Sequence, residues 1–256
     1  MKQIVMPLLL SAVAMPSVWA QGNEWTGFYA GGHLGYGFGE SKVDVSLGGS
    51  WGLGPQVAND YLEKAWSKDL SPSGAVGGLQ AGYNYQLPGS QVVLGLEGAA
   101  SWLDASDSKR RMTYLAPVLP VDVGFDSRLS IDVERTLALR AKAGFAVDRT
   151  LYYGTVGWSW ARAEMGFEIL STNGYSRMGG GTKTLDGFTI GLGVEHRITQ
   201  QLSLRADYSY SDYGRVSYET AYRPGSTGGP PAFNYAEKIS QDLSLHQINI
   251  GLNYSF

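Results

Sequence analysis

The stretch that decides the fold is Ile248-Asn249-Ile250-Gly251-Leu252-Asn253-Tyr254-Ser255-Phe256. Every second residue is large and apolar, and every residue between is polar or glycine. A period of two puts one set on each face of an extended strand. One face suits hydrocarbon and the other a polar interior, so the segment reads as barrel wall between lipid and lumen.

Seven earlier segments repeat the pattern. Phe28, Ala30, Gly32, Leu34, Tyr36 and Phe38 alternate with Tyr29, Gly31, His33, Gly35 and Gly37. Leu79 to Tyr85 alternate with Gln80, Gly82 and Asn84, and Val92 to Trp102 carry Glu97 on the other face. Leu137 to Phe145 oppose Arg140 and Lys142, while Tyr152 to Trp160 oppose Tyr153, Thr155, Gly157 and Ser159. Phe188 to Val194 oppose Gly191, Gly193 and Glu195, and Leu202 to Tyr210 oppose Ser203, Arg205, Asp207 and Ser209. The fold class is therefore all-β, an eight-stranded antiparallel transmembrane β-barrel.

The links between segments alternate in length. Short ones sit near Leu87-Pro88-Gly89, Asp148-Arg149 and Thr199-Gln200. Long ones cover roughly 39–74, 103–133, 163–186 and 211–245, predicting four long external loops and three short periplasmic turns. A soluble β-sandwich gives no reason for such alternation. Aromatics supply a ruler: Phe28 and Phe38 share a face ten residues apart. At ~3.3 Å per residue and a tilt near ~45° they stand roughly 23 Å apart along the bilayer normal, close to the ~25 Å apolar band. Phe28, Phe38, Trp102, Tyr152, Trp158, Trp160, Tyr208 and Tyr210 are thus predicted at the membrane interfaces.

Composition agrees with strands more than helices: 35 glycines, 12% aromatic and only 17% charged residues in 256. With no cysteine, disulfides and thiolate metal sites are excluded, and a net charge of −3 gives a nucleic-acid partner no electrostatic support. No apolar run after residue 20 is long enough for a spanning helix. At the other end Lys2, the apolar stretch Ile4 to Val13 and Val18-Trp19-Ala20 read as a signal peptide, residues 1–20, leaving a barrel domain at 21–256.

Trp25-Thr26-Gly27-Phe28-Tyr29-Ala30-Gly31, Gly193-Val194-Glu195, Arg205-Ala206-Asp207-Tyr208 and the ending Gly251-Leu252-Asn253-Tyr254-Ser255-Phe256 carry a resemblance. They resemble the opacity-protein-like family of small outer-membrane barrels, whose members include surface antigens, adhesins and haemin-binding proteins. The resemblance implies eight strands and an address in the Gram-negative outer membrane. It leaves activity open, because the long loops carry that and they differ. Tyr254 and Phe256, closing an alternating strand, look like the signal read by the barrel-assembly machinery.

Six charged residues fall on the inward face: Glu97, Arg140, Lys142, Glu195, Arg205 and Asp207. Three acids balance three bases, as a side-chain-filled eight-stranded lumen requires. Inward glycines are expected to make room for the longer basic chains. A catalytic reading finds little: His33, His196 and His246 fall on different faces or at different heights, and no serine shares triad-like spacing with one. Asp122, Asp126 and Asp132 lack the spacing of a calcium loop. No catalytic residue, metal or cofactor is assigned.

In the loops, residues 60–68 suggest a short helix capped by Asp60 and Glu63. Lys109-Arg110-Arg111 lies where lipopolysaccharide phosphates could be met, and Tyr218, Tyr222, Phe233 and Tyr235 could anchor a partner or pack the loop on the rim. The first functional reading is a non-catalytic structural barrel with a surface-exposed interaction role. Its expected partners are outer-membrane lipid and lipopolysaccharide, the assembly machinery, and a host molecule or ligand met through loops. Alternatives are a barrel binding haemin or another ligand, with His246 and Tyr235 as candidate ligands, and a narrow pore.

Overall fold

The alternation becomes nine hydrogen-bonded strands in a computed structural model that describes residues 25–227 and 233–256. The expected signal peptide, residues 1–20, lies outside the described residues. In chain order the strands are β1 Gly27–Glu40, β2 Val43–Gly49, β3 Ser73–Gln86, β4 Val92–Tyr114, β5 Gly124–Val147, β6 Thr150–Ser171, β7 Ser176–Arg197, β8 Leu202–Tyr222 and β9 Tyr235–Ser255. All neighbours are antiparallel, and β1 pairs with both β3 and β9, which closes the ring. β2 continues along β9 beyond β1, from Val43 opposite Gln241 to Gly49 opposite Tyr235. Interrupted at Ser41-Lys42, β1 and β2 fill one position, so the wall has eight.

One end carries the short turns, 87–91, 148–149 and 198–201. Asp148 sits there at φ 49°, a backbone that Asp accepts better than most side chains. The other end departs from expectation, because most of the residues read as long loops are strand. Among the described residues, only 50–72, 115–123, 172–175, 223–227 and 233–234 lie between the long strands at that end. The physical reason is that the period of two never stops; it changes phase. In β5, Leu137 and Leu139 point outward, whereas Leu129, Ile131 and Val133 are buried inside. Between them a bulge at Glu134 leaves Glu134 and Arg135 both exposed, and it reverses which face is apolar. β9 inverts without a bulge: Ile248 to Tyr254 face out, while Leu243 and Leu245 face in.

The interior is accordingly layered. At the turn end Trp25, Val93, Ala146, Leu151 and Tyr153 form an apolar floor. The middle is polar and charged. The far half holds a large apolar core that includes Leu103, Phe125, Ile131, Met165, Phe167, Ile239 and Leu245.

A helix completes that half. β3 spans 14 residues against 23 for β4, so among the described residues no strand lies between β2 and β4 at the far end. α1, Gln56–Trp66, fills the gap. Its Glu63 accepts from the Leu47 amide at 2.7 Å, and Ser67, just past it, accepts from the Val45 amide at 3.0 Å. Leu62 and Trp66 are fully buried, with the Trp66 ring 5.4 Å from Phe125. Burying a side chain such as Leu62 contributes about 1.5–3 kcal/mol. The helix starts earlier than the expected 60–68, behind Pro55 rather than Asp60. Pro55 presets the entry dihedral, Asp60 accepts from Gln56 Nε2 one turn back, and Glu63 is engaged with β2 instead of capping.

Candidate functional site

The six lumen charges expected from the sequence come together at mid-barrel, and Glu97 is their hub. Its side chain is 0% exposed. Arg140 reaches Oε1 at 2.9 Å, and Arg205 and Lys142 reach Oε2 at 2.7 and 3.5 Å. Arg205 also pairs with Asp207 at 2.9 Å, and Lys142 stands 3.9 Å from Glu195. Register explains the meeting: Glu97 lies opposite Arg140 across β4 and β5, and Glu195 lies opposite Arg205 across β7 and β8. Asn253 donates to Glu195 Oε1 at 2.8 Å and Asn249 to Asp207 at 3.3 Å, while the buried Glu195 Oε2 has no hydrogen-bond partner among the described residues.

Two aromatic partners were missed. Tyr29 donates to Glu97 at 2.7 Å and accepts from Lys142 at 2.8 Å. The Lys142 ammonium also lies 4.5 Å from the Tyr29 ring centroid and 4.6 Å from that of Tyr153. Two inward glycines make room for these rings, since a Cβ at Gly82 would meet the Tyr29 hydroxyl at 2.6 Å and one at Gly193 the Tyr153 ring at 2.5 Å, while Gly31, Gly35 and Gly95 make room for Asn253, Asn249 and Asn84 rather than for basic chains. Inward placement of both tyrosines follows from the period of two, but not their partners.

Above this layer His33 and Ser101 are brought together. Gln80 Nε2 donates to Asn253 at 2.7 Å, so Gln80 Oε1 is left to accept from His33 Nδ1 at 2.6 Å. In the neutral ring Nε2 then accepts from the Ser101 hydroxyl at 3.0 Å. That is nucleophile-and-base geometry, which spacing along the chain did not reveal. Both residues are buried, however, beneath the apolar far half.

A second polar cluster sits near the far end. Arg177 pairs with Glu237 at 2.9 Å and stacks 4.2 Å from the Tyr222 centroid. Trp51 Nε1 donates to Glu237 at 2.8 Å, and the hydroxyls of Tyr175 and Thr220 also donate to it. Burial, with the Glu237 carboxylate beside it, pushes the Tyr175 phenol well above its usual value. Tyr235 packs in this cluster, 4.8 Å from Trp51, with Phe233 stacked on it at 5.8 Å, and Tyr218 is buried below.

The candidate haemin ligands are not brought together. Tyr235 lies inside, while His246 lies on the outer wall, stacked on Phe38 at 4.9 Å and bonded to the Tyr208 hydroxyl at 2.7 Å. Eleven residues of extended strand separate them, roughly 36 Å. His196 is outside as well, at the turn end, 2.9 Å from the Thr150 hydroxyl.

All eight expected interface aromatics stand on the outer wall. Phe28 and Tyr152 occupy the turn-end tier, near Tyr254 and Phe256. Phe38, Trp102, Trp158, Trp160, Tyr208 and Tyr210 occupy the far tier, the two tyrosines partly covered by His246. Beyond that tier the outer wall is charged. Lys109, Arg110 and Arg111 lie on β4 rather than in a loop, and Arg110 grips Asp126 at 2.8 Å. The Arg110 hydrogen bond holds the Asp126 carboxyl below the usual range. Asp132 is pushed the other way, by partial burial and by Glu134, Asp104 and Glu164 around it.

A closed antiparallel barrel with an apolar outer band, two aromatic tiers and a charge-neutral lumen defines an outer-membrane β-barrel protein. The chain belongs to the outer membrane protein beta-barrel domain family, which matches residues 6–256. It is similar to the 31 kDa outer-membrane immunogenic protein of Brucella melitensis, 28% identical over 237 residues, covering 91% of this chain and 84% of that one. It is also similar to the 22 kDa outer membrane protein of Rhizobium leguminosarum, 24% identical over 199 residues, with 77% and 68% covered. Among solved structures it matches Neisserial surface protein A at TM-score 0.39 and 15% identity, over 90% of this chain and 98% of that one. The protein is thus an integral β-barrel of the Gram-negative outer membrane, in contact with its lipid and lipopolysaccharide.

Proposed function

We propose that the chain is a non-catalytic structural barrel whose function lies in the surface it raises beyond the bilayer. The observation that carries this reading is an interior occupied along its whole length: an apolar floor, a neutral charge cluster and an apolar far half. Such filling supports neither a conducting path nor substrate access to the buried Ser101–His33 pair. Residues 1–20 are removed on export, leaving 21–256 as the barrel domain. Tyr254 and Phe256, exposed at the turn end, are the feature read by the assembly machinery. Relatives described as immunogenic support a far end open to host molecules.

The test is single-channel recording in planar bilayers. The proposal expects no steady conductance from the wild type. A stable, ion-selective current would replace it with the pore reading.

A further inference from the structure

Among the described residues, the far half of the barrel lacks one strand, and the two flanks of the gap are covered unequally. β3 begins at Ser73, and residues 69–71 carry its line a little further. The Ser71 amide donates to Asp107 at 2.8 Å, and Lys109 Nζ donates to the Asp69 carbonyl. Above that point α1 leans on β2, where Glu63 and Ser67 take the free amides. β4 receives no such cover. The Leu115 amide donates to the Val123 carbonyl, and Thr113 and Arg111 share that phase opposite Phe125 and Ser127. Bonded and non-bonded pairs alternate along an antiparallel ladder, so Arg110, Met112 and Tyr114 turn their backbone groups to the gap. None of those N–H and C=O groups has a hydrogen-bond partner among the described residues.

Beside this edge lies a depression of about 430 Å³, floored by Trp66 and Leu129 and ringed by Lys68, Lys109, Arg110 and Arg111, with no carboxylate in its lining. Arg128 stands opposite Arg110 on the outer face and adds a fifth cation. Arg110 holds Asp126, and Glu168 beyond Arg128 is held by Arg223 at 2.8 Å. Lys68, Lys109, Arg111 and Arg128 have no carboxylate within ion-pair distance among the described residues. Asp69 and Asp107 are the other acids beside the edge, so the cations are in excess. From Ser106 downward the outer wall turns acidic: Asp132 lies opposite Ser106, with Asp104, Glu134 and Glu164 around it.

We infer that the β4 edge from Arg110 to Tyr114 binds an extended acidic segment of a partner protein, which adds to the sheet as a strand. Main-chain bonds to Arg110, Met112 and Tyr114 supply the affinity, and alternate side chains supply the preference. Both sides of the added strand meet cations, Arg110 and Arg128 on the outer face, Lys109 and Arg111 at the depression. The acidic wall below keeps the segment from sliding towards the membrane. This partner class rests on the surface role proposed above; a conducting lumen would refute that role and leave the edge untouched.

The test uses the full barrel refolded in a zwitterionic detergent and a fluorescein-labelled peptide, Glu-Val-Glu-Val-Glu, read by anisotropy. We expect saturable binding, several-fold tighter than that of Lys-Val-Lys-Val-Lys, and lost when alternate peptide nitrogens are methylated. Met112→Pro removes one gap-facing N–H and no bond to β5, a placement that an edge strand accepts. It should weaken binding several-fold. Lys109→Gln with Arg111→Gln should bring the preference for the acidic peptide close to unity at low salt, where exposed charges are least screened. Heat-modifiable gel mobility confirms that each variant is folded. Absence of saturable binding in the wild type, equal affinity for the two peptides, or a preference that survives the double variant overturns the site. So does binding indifferent to Met112→Pro and to methylation, which would mean a cationic surface adsorbing any polyanion. A wild-type dimer, seen by cross-linking and lost in Met112→Pro, would assign the edge to a second copy and likewise overturn it.

Discussion

Glu97→Gln isolates what the lumen charges contribute. The substitution keeps size and one acceptor oxygen while deleting the hub's charge and turning the other oxygen into an amide donor that faces the donors around it. Glu195 and Asp207 then face Arg140, Lys142 and Arg205, leaving one positive charge in excess. Lys142 keeps Glu195 at 3.9 Å and Arg205 keeps Asp207 at 2.9 Å. Arg140 keeps no carboxylate within ion-pair distance among the described residues, and its Nε already lacks a hydrogen-bond partner there. Removing one partner of a buried pair costs about 3–5 kcal/mol. The expected loss is in that range, with Arg140 bearing most of it. Adding Arg140→Met restores neutrality and removes the orphaned group, so the double variant should recover more than half of the loss. Urea unfolding of barrels refolded in vesicles, followed by tryptophan emission, measures all three proteins. A single variant within about 0.5 kcal/mol of wild type, the span usual for exposed sites, would refute the reasoning. A double variant no more stable than the single would do the same.

Leu192, 65% exposed on the outer wall, should tolerate Arg poorly: Leu192→Arg is expected to cost ~2–4 kcal/mol in the same unfolding assay, and an unchanged midpoint would reverse the face assignment. Deleting Phe256 should leave export intact but strand the chain in the periplasm; normal outer-membrane yield on fractionation would remove the assembly role. Asp132 has a folded-state carboxyl above its ordinary value, so the folded barrel keeps that proton to higher pH than the unfolded chain does. Stability from this group is therefore greatest at low pH and falls as pH rises from the ordinary carboxylate value through the raised one. Asp132→Asn should stabilise by about 0.2–1 kcal/mol at neutral pH, the scale of cross-strand charge pairs, since Glu164 lies directly opposite. The gain should vanish near pH 3, below the ordinary value of ~3.9; equal gains at both pH values would exclude the charge cluster as cause.

The wall within the membrane was legible because lipid imposes one rule on one face. Leu137, Leu139 and Phe145 must point out, and Arg140 and Lys142 then have nowhere to go but the lumen. Beyond the bilayer the rule reverses, and Leu129, Ile131 and Val133 keep the period while changing sides. Reading polarity without phase made strand look like loop. The phase change is itself in the sequence, in Glu134-Arg135 and in the step from Leu245 to Ile248, but only a wall already in place says which face is which. Contacts across the barrel were less accessible. Nothing local in Tyr29 or Glu237 announces Lys142 or Arg177, because those partners are fixed by how eight staggered strands close.

Ring closure ordinarily spares a barrel any unpaired strand flank, the feature that invites sheets to grow by addition. Among the described residues this barrel has two at its far end, β2 on the side away from β9 and β4 beyond Ser106, facing each other across the gap that α1 fills. With α1 docked, the Val45 and Leu47 amides are occupied by Ser67 and Glu63. With α1 undocked, those amides would offer a template for an extended segment of another chain. The helix is therefore also a guard against aggregation, and its docking has to follow closely on the pairing of β2 with β9.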